Sequence, residues 1–268
     1  MKRASNKKTH ISVIYLTQGL RVLRKVKFFG LRFGYYKIKH FVVNVGDLLF
    51  DMKGEKLVSK RKSRLLFEKF DGRLGHGISE REDFYPGLGM VLYSFVRCLR
   101  PKRVLCVGSQ RGFVPALCAL ACEENALGGV DFVDAGYDSS INLSGWGQDG
   151  FWKRVDVPKH FHSITQTRLQ FYLMTTKAFC EKYPNKKYDY IYIDGDHTYD
   201  GVRLDYKLLW PMLNRDGFMF FHDILGTGKK YGLEFGVKKF WSEIPNSQKI
   251  NINFPKQSGL GILQKSTR

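Results

Sequence analysis

The stretch Tyr188–Ile224, YDYIYIDGDHTYDGVRLDYKLLWPMLNRDGFMFFHDI, has the pattern of two strands joined by a helix. The runs 190–193 and 218–221 are apolar at every position, as is typical of parallel strands that are buried on both faces. Between them, apolar residues such as Val202 and Tyr206 recur at helical spacing. The stretch therefore predicts a βαβ crossover.

Both predicted strands end in side chains that can bind a metal ion or carry a proton. Asp194 and His197 follow the first strand, and His222 and Asp223 end the second. Ligands of an open parallel sheet bind beyond the carboxyl ends of its strands, so two neighbouring strands with such ends predict one shared site. Asp196 is instead predicted to cap the helix that follows.

The rest of the chain continues this alternation and predicts an α/β fold. We expect a Rossmann-like, doubly wound, mainly parallel seven-stranded sheet with an antiparallel last strand, preceded by a basic N-terminal segment. Residues 135–162 predict an irregular insert, in which Trp146 and Trp152 are expected to be anchors rather than a pocket lining. The other predicted helices lie at 85–100, 112–123, 175–184 and 235–244, and the other strands at 103–108, 129–134, 169–173, 248–253 and 260–264.

The positive charge is concentrated near the N-terminus. Residues 1–64 hold 17 basic and three acidic residues, a net charge of +14, whereas the remaining residues have a net charge of +5. We therefore predict a basic arm and linker over 1–69, with the linker at 53–69, and a catalytic domain over 70–268. Cations interleaved with Phe and Leu predict binding of residues 1–64 to an anionic membrane surface, with packing on the domain as the alternative and nucleic acid less favoured.

Cysteine content and hydropathy indicate the compartment. The five cysteines are odd in number and form no C-x-x-C pair, which favours buried thiols in a reducing environment. No apolar run approaches the ~20 residues of a membrane span. We expect a cytoplasmic protein, peripheral to the membrane if the arm binds there.

A second motif, RVLCVGSQRGFVPAL at 103–117, predicts a glycine-containing turn between a strand and a helix. Such a turn lets backbone N–H groups and the helix N-terminus approach a polar or anionic ligand closely. It lacks the G-x-G-x-x-G of dinucleotide sites, which favours a nucleoside site whose acidic residue accepts hydrogen bonds from the ribose. The predicted cofactor-binding residues are Gly108, Ser109, Gln110, Gly112 and Asp134.

The order of GSQRG, VDFVDAG, YDYIYIDGDHTYDGVRLD, DGFMFFHD and GLGIL resembles the class I S-adenosylmethionine-dependent methyltransferases over about residues 80–265. It is most similar to the branch with macrolide-sugar O-methyltransferases and cephalosporin-hydroxylase-like proteins. The resemblance implies S-adenosyl-L-methionine as cofactor and a hydroxyl of a sugar, glycan or other polar acceptor as the methylated group, with Mg²⁺ or Mn²⁺ assisting.

The resemblance also implies roles for the residues at the strand ends. Asp194, His222 and Asp223 become metal ligands, and His197 becomes the catalytic base, acting beside Asp194. Two positions depart from the family pattern. Cys106 stands where many members have a carboxylate for the methionine amino group, and His222 stands where metal-dependent members often have a carboxylate, which shifts the preference toward a transition metal.

Two other functions remain as alternatives at this stage. One is a non-catalytic binding module that keeps the fold, which the presence of Cys106 favours and the retained motifs oppose. The other is a nucleic-acid methyltransferase that uses the basic arm, although the chain lacks the N-P-P-[YF] tip of amino-directed enzymes.

Overall fold

The computed structural model describes residues 60–72, 87–137, 150–228, 235–245, 249–253 and 258–266. Its helices are α1 (Lys60–Phe70), α2 (Leu88–Leu99), α3 (Phe113–Glu124), α4 (Phe151–Arg154), α5 (Val157–Phe161), α6 (Thr176–Lys182), α7 (Tyr199–Leu209) and α8 (Val237–Glu243), with a 3₁₀ turn at Trp210–Met212. Its strands are β1 (Arg103–Val107), β2 (Gly129–Asp134), β3 (Leu169–Leu173), β4 (Tyr188–Ile193), β5 (Leu213–His222), β6 (Lys249–Ile252) and β7 (Leu260–Gln264).

The strands form one seven-stranded sheet in the order β3-β2-β1-β4-β5-β7-β6. Strands β1 to β5 pair in parallel, whereas β7 runs antiparallel to both β5 and β6. The predicted fold class is thus confirmed, including the antiparallel last strand. The crossover β4-α7-β5 has the predicted order, and β1 pairs with β4 so that Val107 is beside Ile193.

The sheet core explains why the predicted strands form. Tyr190, Ile191, Tyr192 and Ile193 of β4 are at most 4% exposed, because helices cover both faces of the strand. Pairing of Val107 with Ile193 brings the carboxyl ends of β1 and β4 together. The two polar segments that follow these strands therefore lie at the same edge of the sheet.

Helix α1 differs from the sequence prediction. The sequence predicts a linker over 53–69, but residues 60–69 are helical, and Leu66, Phe67 and Phe70 are at most 2% exposed. The Phe67 ring packs 6.0 Å from that of Phe113 at the start of α3. The linker prediction is wrong for 60–69 because apolar side chains within the basic run form one buried helix face. The boundary at residue 69 and the nature of 1–59 stay predictions, since 1–59 lie outside the described residues.

Smaller differences concern the insert and the cysteines. The part of the insert that is described contains α4 and α5, and Trp152 is 4% exposed, as expected for an anchor. Trp146 lies outside the described residues. All five cysteines are free, but Cys98 is exposed and Cys180 is only partly buried, contrary to the expectation of uniformly buried thiols. Within the described part of the chain, no helix has the length and apolar character needed to cross a bilayer.

Candidate active site

The predicted cofactor loop, residues 108–112, connects β1 to α3 and is closed by backbone contacts. Gly108 has a φ of 67°, and its N–H donates to the carbonyl oxygen of Val133 at 2.9 Å. A Cβ atom on Gly108 would lie 2.2 Å from the carbonyl oxygen of Asp194 and 2.6 Å from the Cα of Gly195. Glycine is therefore required by both the backbone conformation and the close approach of the next loop.

The remaining loop residues form a tight turn that leads into α3. Gly112 has a φ of 90° and precedes the helix, and its N–H donates to the carbonyl oxygen of Ser109 at 2.5 Å. The buried Ser109 hydroxyl accepts a hydrogen bond from the N–H of Val114 at 3.3 Å, whereas Gln110 is exposed. The turn thus presents its backbone and the N-terminus of α3 at the carboxyl end of β1.

Asp134 ends β2 and lies next to this turn. Its carboxylate accepts hydrogen bonds from the N–H groups of Gly136, at 2.7 Å, and Ser109. Burial raises the pKa of Asp134 to about 6, and these two hydrogen bonds oppose the rise. The structure thus brings the predicted cofactor residues 108–112 and Asp134 together, and their assignment to S-adenosylmethionine stays a prediction.

The acidic cluster is formed by the ends of β4 and β5. Asp194 follows β4, and its N–H donates to the carbonyl oxygen of Val107 at 2.8 Å, which holds it beside the cofactor loop. His222 is the last residue of β5. Asp223 follows with a φ of 62°, a left-handed conformation that aspartate tolerates better than most residues, and the N–H of Gly226 closes the turn on its carbonyl oxygen.

Four side chains of this cluster meet around one point. Donor atoms of Asp194, His197, His222 and Asp223 all lie within 4.8 Å of one another, and their side chains are 6 to 14% exposed. Asp194 Oδ1 is 3.0 Å from His197 Nε2 and 3.0 Å from His222 Nδ1. This compact set of two imidazoles and two carboxylates fits a divalent cation, and the mixed N and O donors suit a first-row transition metal.

His197 lies within the cluster, between the two carboxylates. Its Nε2 faces Asp194, and its Nδ1 is 3.3 Å from Asp223 Oδ2. Burial lowers the pKa of His197, but the hydrogen bond that its ring donates to Asp194 and the charge of Asp223 outweigh burial, so the pKa is raised above 6.5. Gly236 donates its N–H to the His197 carbonyl oxygen at 2.7 Å, and the Phe235 ring packs 5.0 Å from the imidazole.

Sequence reasoning missed two residues that orient the cluster. The buried Tyr192 hydroxyl donates to Asp194 Oδ2 at 3.2 Å, and Ser258 Oγ is 3.4 Å from His222 Nε2. Tyr192 lies two residues before Asp194, so the alternation of β4 could have indicated it. Ser258 comes from the distant segment before β7, and no sequence pattern indicated it.

The helix after Asp194 is capped by a different residue from the one predicted. Thr198 is the N-cap of α7 and accepts a hydrogen bond from the N–H of Gly201 at 3.1 Å. Asp196 instead accepts one from the N–H of Thr198 at 2.9 Å. The prediction for Asp196 is wrong because α7 begins at Tyr199, which puts Thr198 in the capping position.

Two buried acidic or thiol groups lie near the site without joining the cluster. The Cys106 side chain is 0% exposed and lies beside Cys118 and Tyr190, and burial raises the pKa of its thiol. Asp205 of α7 is 6% exposed, and burial raises its pKa to about 7 although the Thr176 side chain hydrogen-bonds to it. A Cβ on Gly195 would lie 3.1 Å from Asp205 Oδ2, so this carboxyl supports the loop that carries Asp194.

Comparison with known proteins agrees with this fold. Residues 105–224 match a family described as a methyltransferase domain. A curated protein of Sinorhizobium fredii, named y4gI, is 26% identical over 171 residues. The match covers 63% of this chain but only 18% of that protein, so the chain spans about a fifth of its relative's length.

Solved structures with the same fold include three methyltransferases at low sequence identity. A putative caffeoyl-CoA O-methyltransferase from Staphylococcus aureus has a TM-score of 0.53 at 15% identity, covering 82% of this chain and 98% of that one. The O-methyltransferase TomG from Streptomyces achromogenes, in complex with S-adenosylmethionine, has a TM-score of 0.52 at 13% identity, covering 83% of this chain and 96% of that one. An O-methyltransferase from Bacillus cereus, in complex with S-adenosylhomocysteine, has a TM-score of 0.50 at 14% identity, covering 75% of this chain and 89% of that one.

The strand order and the loop after β1 agree with the fold of these solved methyltransferases, and the family match covers residues 105–224, a little under half of the chain.

Proposed function

We propose that this chain is an S-adenosylmethionine-dependent methyltransferase, which transfers the methyl group to a hydroxyl of a sugar, glycan or other polar acceptor with the help of a divalent cation. The observation that carries the proposal is the four-residue cluster of Asp194, His197, His222 and Asp223, which lies against the cofactor loop. Amino or carbon acceptors need no such ligand set. The solved relatives named as O-methyltransferases support a hydroxyl acceptor, and the D-x-x-H element followed by HD supports a sugar.

The reaction is an in-line displacement. The acceptor oxygen attacks the methyl carbon of the sulfonium, a C–O bond forms, and the C–S bond breaks with its electron pair remaining on sulfur as S-adenosylhomocysteine. The hydroxyl proton must leave, and a neutral His197 ring would take it. The cofactor loop and the cluster are expected to align the two reactants, because alignment is the main contribution a protein makes to such a transfer.

Asp194, His222 and Asp223 are the residues that would hold the cation. A bound cation would lower the pKa of the acceptor hydroxyl and orient it. The imidazole of His222 favours Mn²⁺ or another transition metal over Mg²⁺, which prefers oxygen ligands. His197 lies close enough to be a fourth ligand instead of the base, and these two roles predict different behaviour of its variants.

Titration of the purified protein with S-adenosylhomocysteine tests the cofactor site. We expect binding to the parent and a loss of at least tenfold in affinity for Asp134→Ala, because the ribose would lose its acceptor. Absence of binding to the parent would refute the cofactor assignment.

Metal analysis separates the two roles of His197. After loading with Mn²⁺ and desalting, we expect about one equivalent in the parent and in His197→Ala, and little in His222→Ala or Asp223→Ala. Loss of the metal from His197→Ala would make it a ligand rather than the base. If Asp223→Ala binds the acceptor and turns it over fully without metal, the cation has no part in the reaction.

A further inference from the structure

A buried histidine lies next to the cofactor loop. His160 belongs to α5 in the insert and is 8% exposed. Its Nε2 is 3.0 Å from the carbonyl oxygen of Arg111. Since a carbonyl oxygen only accepts, Nε2 carries the hydrogen and donates it. Arg111 lies between Gln110 and Gly112, so this hydrogen bond reaches the loop backbone itself.

The imidazole is held in place by aromatic packing. Burial and the neighbouring positive charges of Lys69 and Arg111 lower the pKa of His160, which favours the neutral ring. A neutral ring that donates through Nε2 has one defined tautomer. Four rings surround it at centroid distances of 4.7 to 5.6 Å: Phe70, Phe151, Trp152 and Phe161.

The same aromatic group also contacts the loop directly. A Cβ on Gly112 would lie 2.8 Å from Phe161 Cζ and 3.1 Å from Trp152 Cη2. The Arg111 guanidinium carbon lies 4.9 Å from the centre of the Phe151 ring. Helices α4 and α5 of the insert therefore cover one side of the turn.

The peptide group between Arg111 and Gly112 is consequently fixed at both polar atoms. Its carbonyl oxygen accepts from His160, and its N–H donates to the carbonyl oxygen of Ser109 at 2.5 Å. A loop whose peptide planes are fixed before binding loses little entropy when the ligand arrives.

We propose that His160 is a positioning residue for the cofactor, which it serves by fixing the Arg111–Gly112 peptide so that the turn and the N-terminus of α3 face the amino-acid part of the ligand. This inference rests on the proposed cofactor role of residues 108–112. His160 touches no reacting atom, so its effect is on binding of the cofactor and not on the transfer step.

Two ligands and three variants test the inference. S-adenosylhomocysteine contains the amino-acid part, whereas methylthioadenosine retains the adenosine and the sulfur but lacks that part. His160→Leu removes the donor, His160→Gln retains an amide donor at a similar reach, and His162→Leu changes an exposed neighbour as a control. Calorimetry gives the dissociation constants, and circular dichroism with thermal unfolding checks that each variant is folded.

We expect His160→Leu to bind S-adenosylhomocysteine about tenfold more weakly, because the Arg111 carbonyl loses its buried partner. Its affinity for methylthioadenosine should stay within twofold of the parent, and His160→Gln and His162→Leu should resemble the parent with both ligands. A purely structural role would weaken both ligands and would not be rescued by glutamine.

Three results would overturn the inference: unchanged S-adenosylhomocysteine binding by His160→Leu, equal weakening of both ligands, or a glutamine variant as weak as the leucine variant. If His160→Leu does not fold, the comparison of His160→Gln with His160→Asn decides, because the shorter asparagine amide cannot reach the carbonyl. Equal affinities of these two then contradict the inference. A parent protein that binds neither ligand refutes the cofactor assignment, and the inference falls with it.

Discussion

Gly108→Ala is the most direct test of how the cofactor loop packs on the acidic loop. Its φ of 67° is a left-handed conformation, which costs an L-residue about 1–2 kcal/mol. The new Cβ would lie 2.2 Å from the Asp194 carbonyl oxygen and 2.6 Å from Gly195 Cα, and backbone atoms cannot move aside as a flexible side chain does. Overpacking typically adds about 1–3 kcal/mol. We therefore expect the free energy of unfolding to fall by about 2–5 kcal/mol.

Urea denaturation measures this loss, and Gly129→Ala provides a matched control. Gly129 lies in β2 without a positive φ, and the nearest atom to its added Cβ is the Arg168 carbonyl oxygen at 3.6 Å, an ordinary contact. We expect this variant to be as stable as the parent or more stable by up to about 1 kcal/mol. The reasoning would be refuted if the free energy of unfolding of Gly108→Ala lay within about 0.5 kcal/mol of the parent and its binding of S-adenosylhomocysteine were unchanged. Substitutions on the surface that disturb no contact typically have effects of that size.

Two further predictions concern the buried acid under the site and the basic arm. The pKa of Asp205 is raised from 3.8 to about 7, mainly by burial, so the folded state holds a proton that the unfolded chain releases, and stability should fall as the pH rises between these values. Asp205→Asn should therefore gain stability relative to the parent as the pH rises from 4 to 8, and urea denaturation at several pH values that gives a constant difference would contradict this. For residues 1–64 we expect co-sedimentation of the full chain with anionic vesicles but not neutral ones, weakened by salt, since each Lys or Arg near such a surface contributes about 1 kcal/mol. If a chain that starts at Lys60 binds the anionic vesicles equally well, the arm does not carry the binding, and packing on the domain becomes its favoured role.

The sheet could be predicted from sequence because its signals are local. The apolar runs of β1 and β4 are flanked by polar or glycine-containing segments, and six of the seven predicted strands match the observed ones within two residues. The exception is β5, which begins at Leu213 although its apolar run begins at Phe218. The site could be predicted for a related reason. Asp194 and His222 lie at the ends of strands that a βαβ crossover makes neighbours, so their proximity follows from topology without any knowledge of side-chain contacts.

Features that depend on contacts between distant segments could not be predicted. The buried face of α1 consists of three apolar residues within a basic run, and the packing of Phe67 on Phe113 and of Phe70 on His160 reveals it. The partner of His160 is a backbone carbonyl, which carries no sequence signature. Whether Asp196 or Thr198 caps α7 depends on the residue at which the helix begins. The hydrophobic pattern does not fix that boundary to within two residues.

Asp194 joins the two halves of the site because its backbone and side chain have different partners. Its N–H donates to the carbonyl oxygen of Val107 and its own carbonyl oxygen lies against Gly108, so the backbone of Asp194 packs on the start of the loop after β1. Its carboxylate contacts His197 and His222. A replacement such as asparagine would preserve the backbone contacts while it removes the charge that holds both imidazoles. The main chain thereby fixes the distance between the loop 108–112 and the cluster, so a change of a side chain in the cluster can alter its chemistry without altering that distance.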